Sequence, residues 1–252
     1  MIDSHCHLTY PQLAGDLPAV LERANAAGVE QLVTIGTGLA DSAAAVELAG
    51  QLAQVWCTVG IHPNHANEVQ PADVKQLFAL AGQKSVVAIG ECGLDYHHAF
   101  TDHAHQAEVF EAQLAVAVSL NMPVVIHCRE AVDDTLAILA RYERLSCVFH
   151  CFTGTLAESR RILAAGYYLG FTGPLTFKRN DELRQVAAEA PADRILVETD
   201  APYLSPEPVR SQKVNEPAFV RHTLEKLAAV RGLSVAEADA LTAENTRRFF
   251  RM

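Results

Sequence analysis

The 252-residue chain contains no CxxC pair, no surplus of positive charge and no apolar run approaching the ~20 residues that span a bilayer. The missing CxxC removes the commonest spacing of a cysteine-built zinc site. Six cysteines remain, the nearest pair being Cys147 and Cys151, and most lie inside or beside apolar runs such as Val55-Trp56-Cys57-Thr58-Val59. They read as buried free thiols, and with half its residues hydrophobic the chain needs no disulfides to hold a core. The N-terminus lacks the basic and apolar regions of a signal peptide, so the expectation is a soluble cytoplasmic protein with no membrane partner. A net charge of −10 argues against a broad basic coat for duplex nucleic acid. It leaves open an enzyme that accepts a strand end at a metal site, because bound cations reverse the local potential.

Eight apolar runs of strand length recur with helical stretches between them. They are Met1-Ile2 running into His5, Gln31 to Ile35, Val55 to Val59, Val86 to Ile89, Pro123 to Ile126, Cys147 to Phe149, Tyr167 to Phe171 and Ile195 to Val197. Amphipathic or Ala-rich segments alternate with them, and the last strand is followed by two further helices. One of those opens with the capping box Ser234-Val235-Ala236-Glu237. Strict alternation predicts a parallel sheet. Eight repeats without a long linker predict an α/β fold of the (β/α)₈ TIM-barrel type, a single domain over residues 1–252. An open doubly wound sheet would place a Gly-rich fingerprint after the first strand; His5-Cys6-His7 stands there instead.

The polar residues fall at the ends of those strands. His5 and His7 end the first, His62 the third, Glu91 and Asp95 the fourth, His127 and Arg129 the fifth, His150 the sixth and Asp200 the eighth. Barrel active sites are built at the C-terminal strand ends. Glu91 and Asp200 would be costly to bury without a cation or strong hydrogen bonds. Converging histidines and carboxylates offset one another's cost with metal between them. Cys6, Cys92, Cys128 and Cys151 adjoin these residues, and strand alternation turns them toward the helix layer instead. Histidines suit zinc, manganese, nickel or cobalt, and the carboxylates also admit magnesium.

The motifs His5-x-His7, Gly60-x-His62-Pro63, Gly90-Glu91-x-Gly93-Leu94-Asp95-Tyr96, Pro123-x-x-x-His127-x-Arg129-Glu130-Ala131, His150-Cys151-Phe152-Thr153-Gly154 and Glu198-Thr199-Asp200-Ala201-Pro202-Tyr203 together resemble the TatD family of metal-dependent deoxyribonucleases. The likeness runs over essentially the whole chain in the family's order. It implies a metal-dependent hydrolase that cleaves DNA phosphodiesters with two divalent ions. By position, His5, His7, Glu91 and Asp200 would hold one ion, and Glu91 would share the second with His127 and His150. Asp200 would also accept the proton of the attacking water, which makes Glu91 and Asp200 the catalytic pair. His62 and Arg129 are expected to contact phosphate. The family's Arg-Gly-x-x-Asn-Glu-Pro stretch is replaced by Arg210-Ser211-Gln212-Lys213-Val214-Asn215-Glu216-Pro217.

The acidic surface favours attack at an end of a single strand, including a 3′ end. Lys178-Arg179, after the seventh strand, could steer a nucleic-acid backbone or simply be solvated. Three rivals remain: an amidohydrolase-like enzyme, an aminoacyl-tRNA ester hydrolase on the same metal centre, and a non-catalytic metal-binding protein. The first commonly bridges its metals with a modified lysine at the end of strand four, where this chain has Glu91.

Overall fold

A computed structural model describes every residue from Met1 to Met252. Its strands are β1 (Ile2–Cys6), β2 (Gln31–Thr34), β3 (Val55–Val59), β4 (Val86–Asp95), β5 (Val124–Arg129), β6 (Cys147–Phe149), β7 (Tyr168–Phe171) and β8 (Ile195–Val197). They belong to one sheet in chain order. The β1–β2, β3–β4, β4–β5, β5–β6 and β7–β8 pairs are parallel. Parallel neighbours need a crossover, and α-helices fill most of the intervals. They are α1 (Pro11–Ala14), α2 (Leu17–Ala26), α3 (Leu39–Gln51), α4 (Leu77–Ala81), α5 (His103–Leu120), α6 (Val132–Leu139), α7 (Leu156–Ala164), α8 (Asp181–Glu189), α9 (Val220–Arg231) and α10 (Val235–Phe250). No helix is long and apolar enough to cross a membrane.

The chain groups into two compact units, Met1–Thr34 with Cys151–Met252, and Ile35–His150. In the first, β1, β7 and β8 are buried along their whole length. A bridge between Cys6 and Ala201 joins β1 to the residues after β8. The helix starts follow the side-chain logic of the sequence: Ser234 accepts from the Glu237 N–H, and Glu237 accepts in return from the Ser234 N–H. Thr155 and Glu158 do the same for α7.

In the second unit β4 is the longest strand, running ten residues to Asp95 where its apolar run stops at Ile89. Gly90 (φ 137°) and Gly93 (φ 144°) make the extension possible. A Cβ on Gly90 would stand 2.6 Å from the Val125 carbonyl oxygen, and one on Gly93 would run into the His127 carbonyl. The register shifts between Ile89 and Cys92, after which Gly93 lies opposite His127 and Asp95 opposite Arg129. Helix α5 supports this strand end with two buried glutamines. The side-chain amide of Gln106 accepts from the Asp95 N–H and donates to the Asp95 carbonyl. Gln113 does the same for Ile61. Each thereby pairs backbone groups that no strand reaches, and leaving one such group unpaired would cost about 1–3 kcal/mol.

Candidate metal centre

Each unit gathers its own set of histidine and carboxylate donors. In the first, alternation along β1 sends His5 and His7 to one side. Two backbone hydrogen bonds bring the segment after β8 against them: the Asp200 N–H donates to the His5 carbonyl (2.9 Å) and the His7 N–H to the Ala201 carbonyl (2.8 Å). Asp200 takes a left-handed conformation (φ 57°), which aspartate tolerates better than most residues. Its Oδ1 then lies 3.6 Å from His5 Nε2 and 3.4 Å from His7 Nε2. Those separations are too long for good hydrogen bonds. They match the edge of about 3.4 Å expected between tetrahedral ligands bound at 2.0–2.1 Å. Two imidazole nitrogens and a carboxylate oxygen on one buried point fit a divalent ion.

Behind these donors lie two more carboxylates. Asp3 accepts from the Thr199 N–H and hydroxyl and from the His5 N–H. Burial outweighs these bonds and raises its carboxyl to about 7. Glu198 accepts from the Ser4 hydroxyl and from the Cys151 N–H, at 3.1 and 2.6 Å. Its carboxylate fills the space at Gly170, where a Cβ would come within 2.5 Å. Asp3 ties β1 to the segment after β8, and Glu198 ties that segment to Ser4 and to Cys151.

In the second unit the focus is Glu91 Oε1, with His150 Nε2 at 2.6 Å, His127 Nδ1 at 2.8 Å and His62 Nε2 at 3.5 Å. Burial opposes ionisation of Glu91, yet His150 and His62 beside it and the bonds from His127 and His150 hold its carboxyl well below the usual range. His127 Nδ1 and His150 Nε2 are 3.4 Å apart, again a ligand-to-ligand spacing. The other nitrogen of His127, Nε2, meets Asp95 Oδ2 at 3.1 Å. A carboxylate behind a histidine fixes its tautomer and leaves the front nitrogen's lone pair for a metal. Asp95 also accepts from the His97 and His98 N–H groups and pairs with His98 Nδ1. Despite its burial, these bonds hold Asp95 ionised far into acid. They also raise His127, with Asp95 and Glu91 outweighing the effect of burial.

His62 is different in kind. Its Nδ1 accepts from the Asn64 N–H (3.1 Å), and burial, then His127, push its ring well below the usual histidine range. A neutral ring whose Nδ1 accepts must carry its proton on Nε2. The atom facing Glu91 and His127 is therefore a donor. Arg129 is exposed on the segment beside Asp95, and the neighbouring Glu130 pairs with His97 at 2.7 Å.

The cysteines stand outside both donor sets. Cys128 Sγ reaches Thr135 of α6 at 3.5 Å, and the Cys6 thiol donates to the Val33 carbonyl. Burial raises the Cys6, Cys92 and Cys147 thiols and takes Cys57 to about 12, so none is a thiolate near neutral pH. The structure thus brings His5 and His7 to Asp200, and His127, His150 and His62 to Glu91. The sequence leaves Asp95 open between a hydrogen-bonded loop residue, a support behind a ligand and a catalytic group, although Glu91, Gly93 and Asp95 are spaced i, i+2, i+4 and share one strand face.

The sequence profile of the family described as TatD related DNase matches residues 2–251. Over 256 residues the chain is 41% identical to the 3′-5′ ssDNA/RNA exonuclease TatD of Escherichia coli strain K12, covering 99% of this chain and 98% of that one. It is 37% identical to an uncharacterized metal-dependent hydrolase, YabD, of Bacillus subtilis over 100% of this chain and 99% of the other. Among solved structures, the TatD homologue YjjV of E. coli K12 superposes with a TM-score of 0.94 at 29% identity, covering 100% of this chain and 98% of that one. The fold is the TIM barrel that the strand–helix alternation led one to expect. The chain belongs to the TatD family of DNases.

Proposed function

We propose that this chain is a divalent-metal-dependent exonuclease that removes nucleotides from the 3′ end of single-stranded DNA or RNA. The donor chemistry carries the proposal: imidazole nitrogens and carboxylate oxygens converge in each unit without a thiolate or a lysine. Lys84, the lysine nearest Glu91 in the sequence, precedes β4 and so lies at the opposite end of the strand, which disfavours the amidohydrolase reading. The full-length likeness to a 3′-5′ ssDNA/RNA exonuclease supports the proposed substrate class and polarity. A cytoplasmic location accompanies that substrate.

His5, His7 and Asp200 would hold one ion, and Glu91, His127 and His150 a second. When bound, such ions lower the pKa of a water and place positive charge against the phosphoryl oxygens. The side chains supply the rest. Asp200, whose second oxygen is not needed for the His5–His7 cluster, takes the proton of the attacking water. Asp95 holds His127 in the tautomer that presents Nδ1. His62 offers its Nε2–H to a phosphoryl oxygen, and the Arg129 guanidinium pairs with a phosphate.

The test is chelator-stripped protein refilled singly with Zn²⁺, Mg²⁺, Mn²⁺, Ni²⁺ or Co²⁺ and offered 5′- and 3′-labelled single-stranded DNA, duplex DNA and RNA. The expected result is progressive shortening of 5′-labelled strands and immediate release of a 3′-labelled nucleotide. Metal analysis should give two ions per chain, and Glu91→Ala should be inactive. Refilled protein that shortens no nucleic acid but opens aminoacyl or other small esters overturns the proposal.

A further inference from the structure

An aromatic and basic rim lies beside the His5–His7–Asp200 cluster. Tyr10 stacks on His7 with ring centroids 4.6 Å apart and planes 21° from parallel. Tyr203 meets Tyr10 edge-on at 6.3 Å and His7 at 6.2 Å. Tyr203 is nonetheless 49% exposed, an unusual state for a large ring held in place on both sides of its backbone. The holding is explicit. Buried Asn215 donates its side-chain amide to the Tyr203 and Thr199 carbonyls. The Ser205 hydroxyl donates to the Gln212 carbonyl, and the Glu207 N–H to the Thr176 hydroxyl. This is the loop that departs from the family's Arg-Gly-x-x-Asn-Glu-Pro pattern, and it is closed on itself.

The charge of this rim runs against that of the molecule. The only charged side chains in the loop after β7, residues 172–180, are Lys178 and Arg179, both exposed. The loop after β8 adds exposed Arg210 and Lys213. Arg210 lies 3.8 Å over the Phe177 ring, which joins the two loops. Of the acids in the second loop, Glu216 is taken by Arg23 at 2.7 Å, and Glu207 stands 4.0 Å from Arg210. A chain of net charge −10 therefore keeps four exposed cations on two loops that meet at Arg210 and Phe177, one of which also carries the exposed Tyr203.

We propose that this rim is the track for the single strand: Tyr203, with Tyr10 behind it, stacks on the base of the nucleotide being released, and Lys178, Arg179, Arg210 and Lys213 carry the phosphates that precede it. The inference depends on the nuclease reading above and adds how the strand is read. Stacking on a ring face is tolerant of sequence because every base has a π-face, and backbone cations are indifferent to it. A base paired and stacked in a duplex has no free face to offer, so the rim selects unpaired ends.

Steady-state cleavage of 5′-labelled dT and dA oligonucleotides by the metal-loaded, full-length protein tests this. Tyr203→Ala should raise KM about 5- to 150-fold, the worth of one base–aromatic stack, with kcat changed little. Tyr203→Phe should restore KM, which a role for the hydroxyl would not allow. Arg210→Ala with Lys213→Ala should flatten the slope of log KM against log salt by about 1.4, roughly 0.7 for each lost phosphate contact. A KM unmoved by Tyr203→Ala, a Phe variant as impaired as Ala, or an unchanged salt slope overturns the inference while cleavage by the wild type stands. Wild-type protein that shortens no strand overturns the nuclease reading and this inference together.

Discussion

Asp95→Asn is the sharpest probe of how the second donor set is tuned. The carboxylate is fully buried and serves two kinds of partner. One oxygen accepts from the His97 and His98 N–H groups at 3.0 and 2.9 Å; the other faces His127 Nε2 at 3.1 Å and His98 Nδ1 at 2.8 Å. An asparagine keeps the first role through its carbonyl, so the turn at 95–98 and the Gln106 bonds survive. Its amide then replaces an acceptor with a donor opposite His127. The imidazole relieves that clash by moving its proton to Nδ1, the nitrogen 2.8 Å from Glu91. A protonated Nδ1 has no lone pair for a metal. Loss of an outer carboxylate of this kind weakens metal binding about 10- to 100-fold, or about 1.4–2.7 kcal/mol. Calorimetric titration of chelator-stripped protein with Mn²⁺ or Zn²⁺ should show one of two binding events weakened by that factor and the other unmoved, with activity recovered at high metal. An Asp95→Asn protein that binds both ions as tightly as wild type would refute the tautomer argument.

Two further outcomes follow from the same structure. Gly93→Ala should cost stability and metal together, because the new Cβ runs into the His127 carbonyl at a φ of 144° that alanine avoids. Strain of this kind is worth about 1–3 kcal/mol before any displacement of β5 is counted, and urea unfolding with a parallel metal assay reads both losses. Asp3 imposes a pH dependence on the chelator-treated protein. Its folded pKa of about 7 exceeds its ordinary value of 3.8, so the folded state binds the proton more tightly. No penalty exists below about 4; it grows as pH rises to about 7 and persists above. Unfolding free energy should therefore be lower at pH 8 than at pH 5 on this account, and Asp3→Asn should flatten the difference.

Much of the fold was legible because its signals are local. Eight apolar runs and the helices between them mark a repeated unit, and Ser234 with Glu237 announces the start of α10 within four residues. The convergence of the candidate donors was legible for a related reason: each stands where an apolar strand stops, so strand direction alone puts His5, His127 and Asp200 near strand ends. The rest depends on backbone placement that no residue type declares. The extension of β4 past Ile89 needs both the glycines and the β5 register. The tautomer of His62 follows from a single N–H, that of Asn64, in the turn after Pro63. Tyr10 and Tyr203 lie 193 positions apart, and nothing in either segment announces that they meet.

The separation of the two donor sets along the chain has a temporal side. Glu91, His127 and His150 all fall within Ile35–His150, whereas His5 and His7 need Asp200, which follows His150 by 50 positions. At synthesis rates of about 5–20 residues per second, that gap lasts about 2.5–10 s. During it a growing chain already has every donor of one set, while the first two histidines it made have no Asp200 to meet. On the two-ion proposal, metal acquisition by newborn protein would follow that order, with the N-terminal pair served last.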